Sequence, residues 1–434
     1  IIAAKGAPET ILRLCPLAPE QQQKVAGILD IFTSNGYRVL GVAIAQWNDH
    51  HFPARQEDFP FSFVGLIAFH DPPKPGIRDV FDAFYEAGIK VKVFTGDNEH
   101  TTKSIARLAG IRGYDHAMDG EKLMKLNHEA FQHTVKDNIL FSRMFPEAKL
   151  AAVRSLKEDH HIVAMVGDGV NDGPALKSAH IGIAMGKKGT EIAKSAAALV
   201  LVKDDLSTLV EGVAAGRRIY TNLKKAIQYI ISIHIPIILT VSIPLLLGWK
   251  YPAIFTPIHV IFLELIMGPT CSVAYENEPM EKNAMRMPPR SASQTFFRWH
   301  EITISLIQGL MITAGVMAMY LYYVSLHASE PEVRTAVFLT LIFSNIWLTL
   351  VNRSFYFSFI ETFRYRNRLL TGIMLATLFI TGIMIMVPVI RDFFLLAPAD
   401  WTMIGYCAAT ALLAVLWIEI VKWRRRSRQI RMSA

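Results

Sequence analysis

Beyond about residue 222 the chain is dominated by long apolar stretches, and these constrain its fold more than any other feature. Each stretch is close to the ~20 residues that an α-helix needs to cross a bilayer. Backbone polar groups in lipid must be bonded within the chain, so we predict an all-α bundle of six transmembrane helices. They fall at about 226–248, 254–275, 302–325, 333–352, 369–390 and 401–422.

Basic residues between these stretches predict the orientation of the bundle. The richer connections and the tail hold Lys282, Arg286, Arg290, Arg298, Arg353, Arg364, Arg366, Arg368 and the run 422–428. The opposite connections hold Lys250, Arg334 and Arg391 near the spans. This asymmetry predicts that both ends of the bundle face the cytoplasm. The net charge of +8 then reflects anchors that flank a lipid bilayer, and we expect no nucleic-acid partner.

The first 221 residues alternate short apolar runs with charged, helix-forming segments. Predicted strands lie at 37–46, 63–68, 91–94, 139–142, 162–166, 181–185 and 198–202, and predicted helices at 21–34, 77–87, 98–109, 146–158 and 174–179. Such alternation predicts an α/β fold with a doubly wound, mostly parallel sheet. The three cysteines, Cys15, Cys271 and Cys407, are far apart and indicate neither a disulfide framework nor a metal site.

One glycine-rich string follows the predicted strand 162–166. It places Asp168 and Asp172 four residues apart, framed by glycines at 167, 169 and 173. Ligands bind at the carboxyl ends of strands in open α/β sheets, and glycines let the backbone approach them closely. Carboxylates there favour a magnesium ion beside a phosphate, with Asp168 as ligand and Asp172 as a possible second one.

Two further polar residues are expected at the same edge of the sheet. Thr95 follows the strand 91–94 and supplies a hydroxyl donor, while Lys149 on the helix 146–158 supplies a fixed cation. A phosphoryl group in transfer needs its charge neutralised by such groups. Asn171 is expected to add a hydrogen bond to the phosphate or the metal, and Asp172 to hold the loop or assist Asp168.

The string 165–177 resembles the hinge signature of P-type ATPases, ion pumps that phosphorylate themselves on an aspartate. Other pieces follow in the family's order: Lys5-Gly6-Ala7-Pro8-Glu9, Asp71-Pro72-Pro73-Lys74, Thr95-Gly96-Asp97 and Lys149. The resemblance implies a haloacid-dehalogenase-like (Rossmann-like) phosphorylation domain. It further implies ATP and Mg²⁺ as cofactors, Thr95, Gly96, Asp97, Lys149, Asp168, Asn171 and Asp172 as catalytic residues, and Lys5, Gly6, Arg38, Thr95, Gly96, Asp97, Arg143 and Lys149 as nucleotide contacts.

The same resemblance implies three domains. Residues 1–60 would be the C-terminal part of a nucleotide-binding domain, 61–221 the phosphorylation domain and 222–434 the transmembrane domain. The family's phosphorylated aspartate lies in an Asp-Lys-Thr-Gly-Thr string, and that string does not occur here. We therefore expect the chain to be the C-terminal part of a pump, inactive alone. The polar segment 212–229 would be the stalk that leads into the first span.

Ionisable groups inside spans are costly, so Glu264 is the first candidate for a transport site. His234 and Pro236 would join it, because a proline breaks a span and frees backbone carbonyls; Asn345 would add an oxygen, as would Thr270, Ser272 and Ser344. The chain departs from the calcium pumps that it otherwise resembles: His234, Ile237, Glu264, Met267, Gly268 and Ile342 stand at their ligand positions. Their two-site cage is not carried over, which leaves one calcium, manganese or magnesium ion, or a proton.

The sequence thus predicts a class II, calcium-pump-like protein that transports a cation with ATP through an aspartyl-phosphate. A calcium-like divalent cation leads, with a proton or another cation as the alternative. A membrane-anchored phosphatase of the haloacid dehalogenase type and a catalytically inactive regulatory scaffold are the rival classes. We expect a multi-pass protein of a bacterial inner membrane with its soluble domains in the cytoplasm; the sequence indicates no protein partner.

Overall fold

A computed structural model describes residues 1–48, 51–70, 72–291 and 293–433, apart from the side chains at 38, 271, 272, 425 and 428–433. Asp71, in one predicted motif, and the side chains of Arg38 and Ser272 therefore lie outside the described residues. The chain forms two compact units. The α/β unit is Ile1–Gly212 with Met285–Ala292, and the helical unit is Val213–Ala284 with Ser293–Ala434.

The α/β unit begins with an antiparallel sheet. Its elements are β1 (Ile2–Gly6), α1 (Pro8–Leu14), α2 (Pro19–Ser34), β2 (Arg38–Ala45) and β3 (Ser62–Phe69). β2 pairs with both β1 and β3, and Ile11, Cys15 and Phe61 are buried in the adjoining core. The predicted domain boundary between residues 60 and 61 would divide this sheet. That boundary assigns β3 to the following α/β region, whereas the backbone hydrogen bonds of β3 join it to β2. Hydrophobic patterning does not encode this link.

The rest of the α/β unit alternates helices with parallel strands, as predicted. Its elements are α3 (Ile77–Glu86), β4 (Val93–Phe94), α4 (Glu99–Leu108), β5 (Ala117–Asp119), α5 (Gly120–Met124), α6 (His128–Asp137), β6 (Leu140–Ser142), α7 (Pro146–Glu158), β7 (Ala164–Gly167), α8 (Gly173–Ser178), β8 (Ile181–Met185), α9 (Glu191–Ala196) and β9 (Leu199–Leu201). The sequence prediction left β5, α5 and α6 unassigned.

The parallel strands form two three-stranded sheets, ordered β4-β6-β5 and β7-β8-β9, where one continuous sheet was predicted. β4 has only two residues, and among the described residues it bonds to β6 alone. The side chain of Phe94 packs against the hydrophobic cores of both sheets. The carboxyl ends of β4 and β7 thereby belong to one packed region, although no ladder joins the two sheets in the described part of the chain.

The helical unit is built from long apolar helices. Its elements are α10 (Ser207–Leu246), α11 (Pro257–Pro269), α12 (Trp299–Ser325), α13 (Glu330–Val351), α14 (Phe359–Thr362), α15 (Arg368–Met386), α16 (Pro388–Phe393) and α17 (Trp401–Ser433). Tyr229, Ile233, Ile312, Tyr320 and Phe338 are buried in their shared core. In the part of the chain that the structure describes, five of these helices are long and apolar enough to cross a membrane.

Two of the predicted features of the spans differ. The stretch predicted at 254–275 is the 13-residue helix α11, followed by a π-helical turn, Thr270–Ala274. Pro269 has no N–H for the carbonyl of Leu265, which favours the wider turn. Conversely, Pro236 does not break α10, which is continuous around it. The proline removes one backbone hydrogen bond, and the buried flanking residues Ile233 and Ile237 hold the helix in the core.

Candidate functional site

The turn after β4 is tied to the turn after β6. The N–H of Met144 donates to the carbonyl of Thr95 at 2.8 Å, and the N–H of Arg143 donates to the carbonyl of Asp97 at 2.9 Å. Within the turn, the Thr95 hydroxyl donates to Asp97 Oδ2 at 3.2 Å and accepts from the Asp97 N–H at 3.1 Å. These bonds fix Thr95, Gly96 and Asp97 in one compact turn beside β6.

The loop after β7 is organised around the buried carboxylate of Asp172. Its Oδ1 lies 2.7 Å from Lys149 Nζ, and the N–H of Gly169 donates to its Oδ2 at 3.3 Å. A Cβ on Gly167 would stand 2.7 Å from the Asp172 Cβ, so only glycine leaves this carboxylate its place. The structure thus brings Lys149 and Asp172 together and occupies both oxygens of Asp172.

Asp168 is placed differently from Asp172. It directly follows β7, its side chain is exposed, and its backbone carbonyl accepts from the N–H of Thr190 at 2.9 Å. Asn171 is also exposed on this loop. Mg²⁺ is bound by oxygen donors. Asp168 offers an accessible carboxylate on an anchored backbone, and Asn171 offers an amide oxygen nearby in the chain. These two residues therefore fit Mg²⁺.

The predicted nucleotide contacts lie at two places in the α/β unit. Lys5 is exposed on β1, and Gly6 ends that strand. Arg143 adopts a left-handed conformation with a φ of 48°, and its guanidinium lies 3.2 Å from Glu9 of the same motif as Lys5. Arg38 begins β2, opposite Phe69 of β3. The Arg143–Glu9 pair links the motif at 5–9 to the turn after β6.

In the helical unit, the structure brings two of the predicted transport residues into contact. His234 Nε2 lies 3.0 Å from Glu264 Oε1, and His234 Nδ1 lies 2.8 Å from the carbonyl of Ile230. The two side chains are 40% and 47% exposed. Pro236 is buried two residues beyond His234. Asn345 contacts neither; its amide oxygen accepts from the buried hydroxyl of Tyr229.

The sequence reading missed several polar residues that organise these regions. Asp204 accepts from the N–H groups of Lys187 and Lys188, each at 2.9 Å, and its carbonyl accepts from Lys74 Nζ. Burial alone would raise the pKa of Asp204, but these hydrogen bonds outweigh it and the pKa is lowered. In the helical unit the missed feature is the buried pair of Glu278 and Arg353, 2.8 Å apart, in which Arg353 was predicted only as a basic residue flanking a span. The sequence feature that could have indicated these residues is a charged residue next to an apolar stretch.

Comparison with known proteins shows which families the two units resemble. Residues 16–180 match the haloacid dehalogenase-like hydrolase family, and residues 252–424 match the C-terminus of cation transporting ATPases. The chain is 30% identical over 437 residues to "Calcium-transporting ATPase 1" of Lactococcus lactis, covering 97% of this chain and 49% of the relative. Together these matches support a class II P-type ATPase. The predicted haloacid-dehalogenase-like domain followed by a helical membrane region is therefore confirmed.

Other relatives of this P-type ATPase chain lead to the same family. It is 29% identical over 422 residues to "Calcium-transporting ATPase" of Bacillus subtilis, covering 93% of this chain and 47% of the relative. It is 31% identical over 364 residues to "Calcium-transporting ATPase type 2C member 2" of Homo sapiens, covering 81% and 37%. The chain thus spans about half the length, or less, of the curated relatives that it matches. With its apolar helices, it is an integral membrane protein.

Proposed function

We propose that this chain is part of a pump that uses ATP to move a calcium-like divalent cation across a membrane through a phosphoenzyme. The observation that carries the proposal is the Lys149–Asp172 ion pair, 2.7 Å long, on the glycine-framed loop at the carboxyl end of β7. A lysine held beside this loop gives the α/β unit a fixed positive charge where a phosphoryl group would bind. The printed names of the relatives, calcium-transporting ATPases, favour the calcium-like cation.

In this proposal the residues of the α/β site have different tasks. Lys149 neutralises charge on the phosphoryl oxygens, and the Thr95 hydroxyl donates to one of them, in the turn formed with Gly96 and Asp97. Asp168 would hold Mg²⁺, with Asn171 as an oxygen donor and Asp172 keeping the loop and Lys149 in place. When bound, the ion neutralises the charge that phosphoryl transfer spreads over the oxygens.

The proposed nucleotide contacts are Lys5, Gly6, Arg38, Thr95, Gly96, Asp97, Arg143 and Lys149. The Arg143–Glu9 ion pair supports a common task for the two segments that it joins. A nucleotide bears several negative charges, which lysine and arginine side chains can neutralise. Residues 1–69, through the end of β3, would belong to a nucleotide-binding domain, 70–221 to the phosphorylation domain and 222–434 to the transmembrane domain.

The proposed transport site is centred on Glu264 and His234. A half-exposed carboxylate on a membrane helix is costly in lipid, so it is expected to face protein, water or an ion. Pro236 leaves the carbonyl of Ser232 without its usual helical donor, which adds an oxygen near the pair in the chain. Asn345 stays a weaker proposal, because its amide oxygen is taken by Tyr229. We further propose the bacterial inner membrane as the location, with the α/β unit in the cytoplasm.

The test is cation-dependent phosphorylation of the full-length gene product in proteoliposomes. Acid-stable phosphoenzyme is measured from labelled ATP with calcium, manganese, magnesium and sodium ions and across a pH series. We expect one divalent cation to stimulate phosphorylation and Glu264→Gln to abolish that stimulation. Glu276→Gln is the matched control, since Glu276 is exposed just beyond the same helix. Absence of phosphoenzyme under every condition would refute the pump and favour the inactive scaffold.

A further inference from the structure

The carboxylate of Asp204 holds the loop between β8 and α9 by its backbone. Its Oδ1 accepts from the N–H of Lys187 and its Oδ2 from the N–H of Lys188, each at 2.9 Å, and the residue is only 6% exposed. Just before them, the N–H of Gly186 donates to the carbonyl of Leu201 at 2.9 Å. Consecutive backbone N–H groups that point to one place form a concavity that binds an anion. In this loop the anion is the carboxylate of Asp204.

The backbone of Asp204 is itself held on both sides. Its N–H donates to the carbonyl of Leu201 at 3.0 Å, and its carbonyl accepts from Lys74 Nζ at 2.6 Å, from 130 positions away in the chain. Its φ of 53° lies in the left-handed region, where aspartate and asparagine are found more often than most other residues. The carboxylate therefore projects from a fixed backbone and gives the loop a rigid attachment.

The far end of the same loop holds the backbone of Asp168. The N–H of Thr190 donates to the carbonyl of Asp168 at 2.9 Å. Between the two attached ends lies Gly189, which is buried, and a Cβ there would collide with the carbonyl of Met185. The loop is therefore closely packed and has little room to move at one end alone. A displacement of its first half would be passed to Thr190 and from there to Asp168.

We propose that Asp204 is a positioning residue for Asp168 and acts through the loop 186–190. This inference rests on the proposed function, in which Asp168 holds Mg²⁺ beside the phosphoryl group. Mg²⁺ demands a near-ideal octahedral arrangement of its ligands, so a carboxylate on an exposed loop must be oriented by its surroundings. Groups that orient a metal ligand typically change the metal affinity by a factor of about 10 to 100. Asp204 orients Asp168 through the backbone N–H of Thr190.

The first measurement is amide hydrogen exchange, resolved to single residues, on the purified full-length gene product in detergent without Mg²⁺. Asp204→Gly keeps the left-handed backbone and removes the carboxylate, and we expect the Thr190 amide to exchange about tenfold faster or more than in the wild type. Asp204→Asn keeps one acceptor and suits the same φ, so it should recover part of the protection. Asp205→Gly is the matched control and should leave Thr190 unchanged, because the exposed Asp205 accepts from the N–H of Ser207, outside the loop.

The second measurement is the Mg²⁺ dependence of phosphoenzyme formation from labelled ATP. In Asp204→Gly we expect the half-saturating Mg²⁺ concentration to rise about tenfold, with a maximum near that of the wild type. Faster exchange confined to Lys187 and Lys188, or an unchanged half-saturating concentration whatever the maximum, would overturn the inference and leave Asp204 a purely local role. If Asp204→Gly gives no monodisperse peak in size-exclusion chromatography, Asp204→Asn replaces it in both measurements. Absence of phosphoenzyme in the wild type would instead refute the pump, and the exchange of Thr190 would still decide whether Asp204 controls the contact with Asp168.

Discussion

The α/β unit carries exposed charged residues at its strand ends, whereas the helical unit buries several of its charged residues in ion pairs. In the α/β unit, Asp168 and Arg143 lie on loops at strand ends, where they are exposed to solvent. In the helical unit, Lys225 is fully buried but lies 2.7 Å from Glu281, and Glu278 is buried against Arg353. Exposure of a charged side chain therefore has a different meaning in the two units. On a loop it is ordinary, whereas on a membrane helix the half-exposed Glu264 calls for a ligand or a covering surface.

The buried Glu278–Arg353 pair gives the largest expected effect. Its side chains are 1% and 5% exposed, and the Asn367 amide also donates to Glu278 at 2.7 Å. We expect Arg353→Ala to lower the free energy of unfolding by about 3–5 kcal/mol, because it leaves a buried carboxylate without its cation. The measurement is unfolding of the detergent-solubilised chain by increasing mole fractions of SDS.

Two controls decide whether burial causes this loss. Lys282 is 71% exposed and lies 3.8 Å from Glu361, so Lys282→Ala is expected to change stability by less than about 1 kcal/mol. The double variant Glu278→Leu/Arg353→Met removes both charges and is expected to recover much of the stability. Equal losses in Arg353→Ala and Lys282→Ala would contradict the rule that we infer for the helical unit.

The second prediction tests whether one pair in the α/β unit follows the rule of the helical unit. Lys149 and Asp172 have side chains only 13% and 9% exposed. Lys149→Ala should therefore destabilise the α/β unit by about 3 kcal/mol, since the buried Asp172 loses its cation. The readout is thermolysin cleavage of the α/β unit across a urea series. Lys194→Ala is the control, because its partner Glu191 is 90% exposed, and we expect it to have almost no effect.

Much of the α/β unit could be predicted from sequence because its strands and helices are encoded locally. Helix α7 begins at Pro146 and ends at Glu158, as the pattern predicts, since the proline suits a first helical turn. The pairing of β3 with β2 could not be predicted, because it depends on backbone contacts between residues far apart in the chain. Likewise, β5 and α5 are too short to show a period, and a capping aspartate, Asp119, organises that segment.

The sites show the same division between local and distant information. The order of motifs predicted Lys149 and Asp172 as residues of one site, but not that Lys149 would contact Asp172, 23 positions away. In the helical unit, apolar runs predicted the spans, whereas the contact of His234 with Glu264 depends on how α10 and α11 pack. Pro236 misled the prediction because packing on both sides outweighs the loss of one hydrogen bond.

The third prediction concerns the close approach of Gly167 to the side chain of Asp172 in the α/β unit. Gly167→Ala would place a Cβ 2.7 Å from the Asp172 Cβ, so the side chain or the loop must shift. We expect a loss of about 2 kcal/mol, typical of overpacking at a well-packed position. The same thermolysin and urea assay measures it. Gly27→Ala on α2 has nothing within 4 Å of its new Cβ and is expected to stabilise slightly; if both variants behave alike, the close contact is not what requires glycine.

The smallest expected change in stability concerns Lys92 of the α/β unit. Among the described residues its amine forms no ion pair, and it is partly buried. Burial, helped by the nearby charge of Lys90, lowers the pKa of Lys92 from 10.5 to about 8, while its amine donates to the carbonyls of Lys136 and Asn138. Between about pH 8 and 10.5 the unfolded chain then binds the proton that the folded chain has lost, so stability rises with pH. Wild type should gain less than about 1 kcal/mol over Lys92→Met, because the amine is partly screened by solvent. In Lys90→Met the rise should begin at a higher pH, and identical urea midpoints in all three proteins at every pH would show that burial of Lys92 has no cost.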